Sequence, residues 1–431
     1  MMDSIKEFRF SKIRETLHYT KLRNGLEVFI LPKEGYSKQF AVFATNFGSI
    51  DTRFTIPGED EATSVPDGIA HFLEHKLFEE EKGNVFDKFS KLGASANAYT
   101  NFTNTAYLFS STSNFYQSLE VLVKFVQNPY FTDQNVEKEK GIIGQEIRMY
   151  DDNGEWRSFF NLLQGMYKNH PVRIDIAGDI ESIKKIDKET LYKCYNNFYH
   201  PDNMVLFAAG DIDISRAVQV IEESLDSRVH ERKSGIERHY PWEPAEVAKE
   251  RVEQRLSVSQ PLFNIGFKDN DVGYGGERMF VKDISTSILL EMIFGKGSNL
   301  YERMYREGLI NATFSFDYTA EVDYCYTILG GESPDPDRLA ELISHEISLI
   351  NEADLTEEEF TLARNKLLGR YLNNFNSLEY VASNFVSYHF KGVNFLEFMD
   401  FIEAISIDTV RERFRAHLRP ETMVLSVILP K

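Results

Sequence analysis

The run Pro201-Asp202-Asn203-Met204-Val205-Leu206 returns late in the chain as Pro420-Glu421-Thr422-Met423-Val424-Leu425. Ahead of each stands a helix-like stretch opened by Ile-Asp, at Ile186-Asp187 and Ile407-Asp408. A second pair aligns without gaps and sets Phe131-Thr132 on Leu355-Thr356. A third sets Leu73-Glu74-His75 on Leu290-Glu291-Met292. Three matches in one order make the two halves copies of a single domain, so a fold for one half is a fold for both. Alternating apolar segments at 27–31 and 41–44 read as strands. Each copy therefore mixes a mainly antiparallel sheet with helices covering it, an α+β arrangement. The stretch 227–250 is charged, carries Pro241 and Pro244 and has no clear period, as a linker should. The expected organisation is an N-terminal domain at 1–226, the linker at 227–250 and a C-terminal domain at 251–431.

The chemistry is concentrated in His71-Phe72-Leu73-Glu74-His75. Two imidazoles four positions apart share one face of an α-helix. Both can then reach one Zn²⁺ at about 2.0–2.1 Å. Glu74, beside the second histidine, can face the open side of the metal and take a proton from a water there. The order is H-x-x-E-H, the reverse of the commoner zinc-protease helix. Pro66-Asp67 reads as the helix start, with Asp67 as N-cap. Ile69, Ala70, Phe72, Leu73 and Leu77 interleave with the polar set, which places the histidines inside an otherwise apolar face. The reading is a zinc metallopeptidase.

Such a site needs a third protein ligand and an open fourth position. The segment 136–147 reads as a helix despite Gly141 and Gly144. Glu139 and Glu146 are two helical turns apart and share a face. One can ligate the metal while the other hydrogen-bonds a ligand. Spacing alone does not choose among Glu137, Glu139 and Glu146.

With these motifs the chain resembles the pitrilysin/insulinase family, the inverzincins, which includes mitochondrial processing peptidase. The family's H-x-x-E-H is followed by two glutamates seven positions apart, as Glu139 and Glu146 are here. The resemblance implies His71, His75 and Glu146 as ligands of one Zn²⁺ per chain, Glu74 as general base, and Glu139 as the acid supporting a ligand from behind. Gly93-Ala94-Ser95-Ala96-Asn97-Ala98-Tyr99-Thr100 is similar to the family's substrate-binding edge strand. Ala96, Asn97 and Ala98 are then the residues that pair with an extended peptide, by β-augmentation. Phe198-Tyr199-His200-Pro201-Asp202-Asn203-Met204 with Gly210-Asp211 resembles the close of the first domain. The family implies two such domains facing each other around a cavity that admits peptides or unfolded segments. In the repeat, His71 falls on Ile288, Glu139 on Ala363 and Glu146 on Arg370, so the second copy lacks the metal ligands.

One run departs from the family. Active members carry an arginine and a tyrosine in the second domain, in a pattern like L-R-E-x-x-G-L-x-Y, which hold the substrate carbonyl and its developing oxyanion. Here Leu300-Tyr301-Glu302-Arg303-Met304-Tyr305-Arg306-Glu307-Gly308-Leu309-Ile310-Asn311 is one residue short. Tyr305 stands where arginine is expected and Asn311 where tyrosine is expected, with Arg303 and Arg306 on other helical faces. Heterodimeric relatives take the pair from a zinc-less partner. The expectation is the zinc-bearing subunit of a heterodimer, otherwise a homodimer. The short bacterial members that the chain most resembles are also associated with the 5-aminopentanol modification of elongation factor P. A non-catalytic scaffold or peptide-capturing subunit is the alternative.

Composition excludes other classes. At 42% hydrophobic and 27% charged residues the chain is an ordinary soluble globular protein. Its 431 residues can bury two to three cores. A net charge of −19 argues against nucleic acid and acidic membrane surfaces as partners. Cys194 and Cys325 are too few for a disulfide framework, which favours a reducing compartment. Residues 1–9 contain no apolar signal core, and the expected location is cytoplasmic. His170-Pro171 and His200-Pro201 read as turn formers rather than further metal ligands.

Overall fold

Each repeated Pro-x-x-Met-Val-Leu run folds as one 3₁₀ turn, Pro201–Asn203 or Pro420–Thr422, feeding a buried central strand. The computed structural model describes residues 5–226 and 235–431. Its first ten strands are β1 (Lys6–Phe10), β2 (Glu15–Lys21), β3 (Glu27–Pro32), β4 (Gln39–Thr45), β5 (Arg53–Thr55), β6 (Ala62–Ser64), β7 (Ser95–Thr100), β8 (Thr105–Ser111), β9 (Met204–Gly210) and β10 (Glu237–Arg238). Seven of them form one sheet in the order β1-β2-β3-β9-β4-β8-β7, and the other three form a small sheet, β10-β5-β6. In the large sheet β9 runs parallel to β3, and all other neighbours are antiparallel. All of β9 and nearly all of β4 are buried, because helices Phe115–Val126 and Leu378–Phe390 pack on this region of the sheet. β7 pairs on one side only and keeps Ser95 and Asn97 exposed.

The remaining strands, β11 (Arg251–Leu256), β12 (Leu262–Asp269), β13 (Ser315–Ala320), β14 (Cys325–Glu332) and β15 (Met423–Pro430), form a second sheet in the order β11-β15-β12-β14-β13. Its pairing repeats the first. β11–β15 is parallel like β3–β9, and β12 lies antiparallel between β15 and β14 as β4 does between β9 and β8. The fold is thus α+β with two homologous halves, as the repeat requires.

The compact units are discontinuous in sequence. One comprises Met1–Ile147, Asp175–Tyr240 and Asn374–Phe390; the other comprises Arg148–Ile174, Pro241–Asn373 and Lys391–Lys431. The helix after each long motif-bearing helix changes unit. Gly154–Met166 packs on β12 and β15, and Leu378–Phe390 packs on β4 and β9. One crossing, Tyr240 to Pro241, falls inside 227–250. Within that stretch 227–234 lie outside the described residues, and Glu237–Arg238 is the strand β10. Glu243, also within it, accepts the backbone N–H groups of Lys168, Asn169 and His170.

Both His-Pro pairs cap 3₁₀ turns, His170 Nδ1 accepting from Val172 N at 3.1 Å and His200 Nδ1 from Asp202 N at 3.5 Å. Cys194 and Cys325 are buried thiols, not joined to each other. Among the described residues no helix is long and apolar enough to cross a membrane.

Candidate metal centre

The first histidine-bearing helix is Ile69–Leu77. Its N-cap is Gly68 at φ 85°, with no side-chain cap, and not Asp67 as the sequence suggested. The reason is steric. The chain enters the helix through the left-handed region, and a Cβ at Gly68 would lie 2.3 Å from the Ala177 carbonyl oxygen. Ile69, Ala70, Phe72, Leu73 and Leu77 fix the helix by burial, and His71 is buried with them. The second helix runs Asp133–Asp151, longer at both ends than the segment 136–147. Its inner face carries Val136, Glu139, Ile143 and Ile147, at helical spacing.

These helices bring three donors together. His71 Nε2 lies 3.7 Å from Glu146 Oε1, and His75 Nε2 lies 3.5 Å from Glu146 Oε2. One donor atom from each residue fits within 4.8 Å of the others, a group able to hold a metal ion. Tetrahedral zinc bonds of about 2.0–2.2 Å place their donors about 3.3–3.6 Å apart, close to the two histidine–Glu146 separations. Two imidazoles and one carboxylate also leave a fourth position open, as a hydrolytic zinc site requires. His75 Nδ1 is 3.1 Å from Glu139 Oε1. That contact assigns the ring proton to Nδ1 and turns Nε2 toward the other donors. Glu137, which spacing had left open, is exposed and pairs with Lys140.

Electrostatics separate the members. Burial, and then the neighbouring His75, push the His71 imidazole down to about 3, so it stays neutral and able to donate its lone pair. Burial also pushes His75 down, but the Glu139 hydrogen bond and the charges of Glu74 and Glu146 outweigh it and raise the ring above its ordinary value. Burial would raise Glu139, yet the hydrogen bond to His75 and the charge of Lys76 hold it below the usual carboxylate range. Burial raises Glu74 above that range against the opposing hydrogen bonds from Thr100. Glu74 is thereby a more basic carboxylate than Glu139, which suits a proton acceptor.

Thr100, the last residue of β7, donates from Oγ1 to Glu74 Oε2 at 2.7 Å. Sequence reading missed this role. Its signal was available only as position, a hydroxyl ending the strand that carries Asn97. Asn97 and Ala98 line a cleft of about 460 Å³ with Glu74, His75, Phe78 and Ile142. Ala96 lies between them and Ser95 on the same one-sided strand. The Asn97 side chain accepts the Ala98 N–H at 2.9 Å.

The matched positions of the other unit hold ions of opposite sign instead of metal donors. Buried Glu291 pairs with Lys366 and lies 3.9 Å from Arg370, while Ile288 and Ala363 are buried apolar residues. In the departing run, Arg303 pairs with Glu307 and Glu346, Arg306 with Glu302, Asn311 donates to Glu332, and Tyr305 is exposed.

Comparison with known proteins follows the same division. The family description "Insulinase (Peptidase family M16)" matches residues 58–180, and "Peptidase M16 inactive domain" matches 185–367. The chain is 45% identical over 427 residues to the uncharacterized zinc protease YmfH of Bacillus subtilis, covering 99% of this chain and 100% of that one. It superposes on the crystal structure of an M16-like peptidase from Alicyclobacillus acidocaldarius with a TM-score of 0.92 and 38% identity, over 100% of both chains. A Helicobacter pylori protease shares the fold at a TM-score of 0.76 and 18% identity, over 96% of this chain and 99% of that one.

Proposed function

The chain belongs to the insulinase family of peptidases, M16, and from that premise we propose that it is a zinc-dependent endopeptidase acting on peptides or unfolded protein segments. The observation that carries this reading is the convergence of His71, His75 and Glu146 with Glu74 beside them. Zinc bound there supplies Lewis acidity toward the scissile carbonyl and the attacking water. Glu74 takes the proton of that water and passes it to the leaving amine. Glu139 fixes the ring of His75, and Thr100 fixes the carboxylate of Glu74. The open edge of β7 at Ala96, Asn97 and Ala98 pairs with the substrate main chain, which favours extended segments over folded ones.

We read the chain as the zinc-bearing subunit of a heterodimer. Support comes from the run 300–311, where Tyr305 and Asn311 replace the arginine and tyrosine, and the nearby arginines are engaged with glutamates. A zinc-less paralogue would supply the missing pair.

The test is zinc content together with cleavage of a quenched fluorescent peptide mixture. It compares wild type with Glu74→Gln, alone and with a zinc-less paralogue. One zinc per chain and Glu74-dependent cleavage that appears with the paralogue support the whole reading. Glu74-dependent cleavage by the chain alone keeps the peptidase and removes the heterodimer. A scaffold or capture subunit, including one serving the 5-aminopentanol modification of elongation factor P, would bind peptide without Glu74-dependent cleavage.

A further inference from the structure

Lys76 follows the second histidine and points into the protein. Its side chain has 0% exposure, on a helix whose other buried residues are apolar apart from His71. Burying an ammonium costs several kcal/mol unless charged partners compensate, so its partners matter. They are two carboxylates. The ammonium pairs with Glu79, which lies three residues along and also reaches Lys138 at 4.0 Å. It lies 3.6 Å from Glu139 Oε2. The other oxygen of that carboxylate, Oε1, is the one at His75 Nδ1. Glu139 is therefore held at both ends, by a buried cation at one oxygen and by the imidazole at the other.

We infer that Lys76 is a positioning residue of the metal centre. It pins the outer oxygen of Glu139 so that the inner oxygen holds the His75 ring with Nε2 toward His71 and Glu146. Without the cation, the Glu139 carboxylate keeps one partner and can rotate about its side-chain torsions. The His75 ring then loses its fixed orientation. Groups behind a ligand in this way change metal affinity by roughly 10–100-fold when removed. The inference rests on the zinc reading above.

The test measures metal binding rather than turnover. Zinc affinity is read by chelator competition at fixed pH, and geometry by the visible spectrum of the Co²⁺-loaded protein. The proteins are wild type, Lys76→Met, Glu139→Gln and the double variant. Methionine keeps the apolar length of the buried stem and removes the charge with its N–H donors, and the zinc-free melting temperature checks that the fold is kept. Lys76→Met is expected to weaken zinc by ~10–100-fold and alter the Co²⁺ bands. The double variant is expected to bind no more weakly than Glu139→Gln, because Lys76 acts through Glu139. Lys76→Gln, a neutral donor, is expected to fall between wild type and Lys76→Met, and it carries the test if methionine is not tolerated. Wild-type affinity and spectrum in the Lys76 variants, or independent losses that multiply in the double variant, would overturn the inference. A wild type that binds no zinc would instead overturn the peptidase reading.

Discussion

The hydroxyl of Thr100 gives the sharpest handle on catalysis, because it touches the proposed base and not the metal ligands. It donates to Glu74 Oε2 at 2.7 Å, a short bond to a carboxylate. A hydrogen bond to a charged group contributes roughly 1.5–3 kcal/mol, about 10–150-fold in rate if it is needed in the transition state. Thr100→Val removes the hydroxyl at nearly constant shape. The backbone N–H of Thr100 still helps Glu74, and Thr105 keeps its own bond to the Phe47 carbonyl at 2.9 Å, so the lower half of that range is expected. The loss should appear in kcat, with KM nearly unchanged, because the main chain of β7 proposed above to pair with substrate is intact. The sign of the pH effect also follows. Thr100 opposes the upward push of burial on Glu74, so removing it raises the carboxyl further. The base must be ionised, and the acid limb of kcat/KM therefore moves to higher pH. Thr100→Ser should restore both properties, and zinc content should stay at the wild-type value in each variant. Steady-state kinetics from pH 5 to 9 on a quenched peptide, with the heterodimer if that is the active form, decide the matter. A Thr100→Val enzyme with wild-type kcat and an unmoved acid limb would refute the assignment.

Gly68→Ala should weaken zinc and lower the melting temperature, because the left-handed cap costs about 1–2 kcal/mol for any Cβ and the Ala177 carbonyl must also move; calorimetry with and without zinc reads it, and an unchanged transition would contradict the cap assignment. Glu291→Gln should leave zinc content and cleavage unaltered and cost about 1 kcal/mol in stability, since its partners Lys366 and Arg370 are half exposed. Loss of zinc in that variant would place a metal in the wrong unit. Burial holds His417 down at about 4, against an unfolded value of 6.5. The unfolded chain then binds the extra proton, so this contribution is fully present above pH ~6.5 and is lost as pH falls toward ~4, by about 3 kcal/mol. Urea midpoints of zinc-free protein between pH 7.5 and 4.5 should fall, and fall less steeply in His417→Gln; equal slopes would show that His417 does not stay neutral.

What could be read from the sequence was what is local or periodic. The strands at 27–31 and 41–44 emerged as β3 and β4, and the matched Pro-x-x-Met-Val-Leu runs emerged as matched turn-and-strand pairs. His71 and His75 share a helical face because four residues are close to one turn. The hidden features depend on contacts distant in the chain. Asp67 is a good N-cap by type, but the loop at Ala177 leaves room only for glycine one position later. Helices Gly154–Met166 and Leu378–Phe390 have ordinary apolar faces, and such a face does not say which of two similar sheets will cover it. Lys76 and Thr100 belong to neither zinc motif, and only the fold sets Glu139 and Glu74 beside them.

The two units show one helix pair solved in two ways. In the first, imidazole and carboxylate groups on Ile69–Leu77 and Asp133–Asp151 converge on a space sized for a dication. In the second, the helices Gly276–Phe294 and Glu357–Asn374 meet through Glu291, Lys366 and Arg370. A buried carboxylate between helices needs positive charge near it. Side chains on the facing helix supply that charge in the second unit, so no metal is required to hold the pair. In the first unit Lys76 compensates only Glu139 and Glu79. Glu146 faces the two histidines, and Glu74 stands next to them, its burial offset in part by Thr100 and by the charge of His75. A zinc ion held where His71, His75 and Glu146 converge would both satisfy the Glu146 carboxylate and activate water beside Glu74.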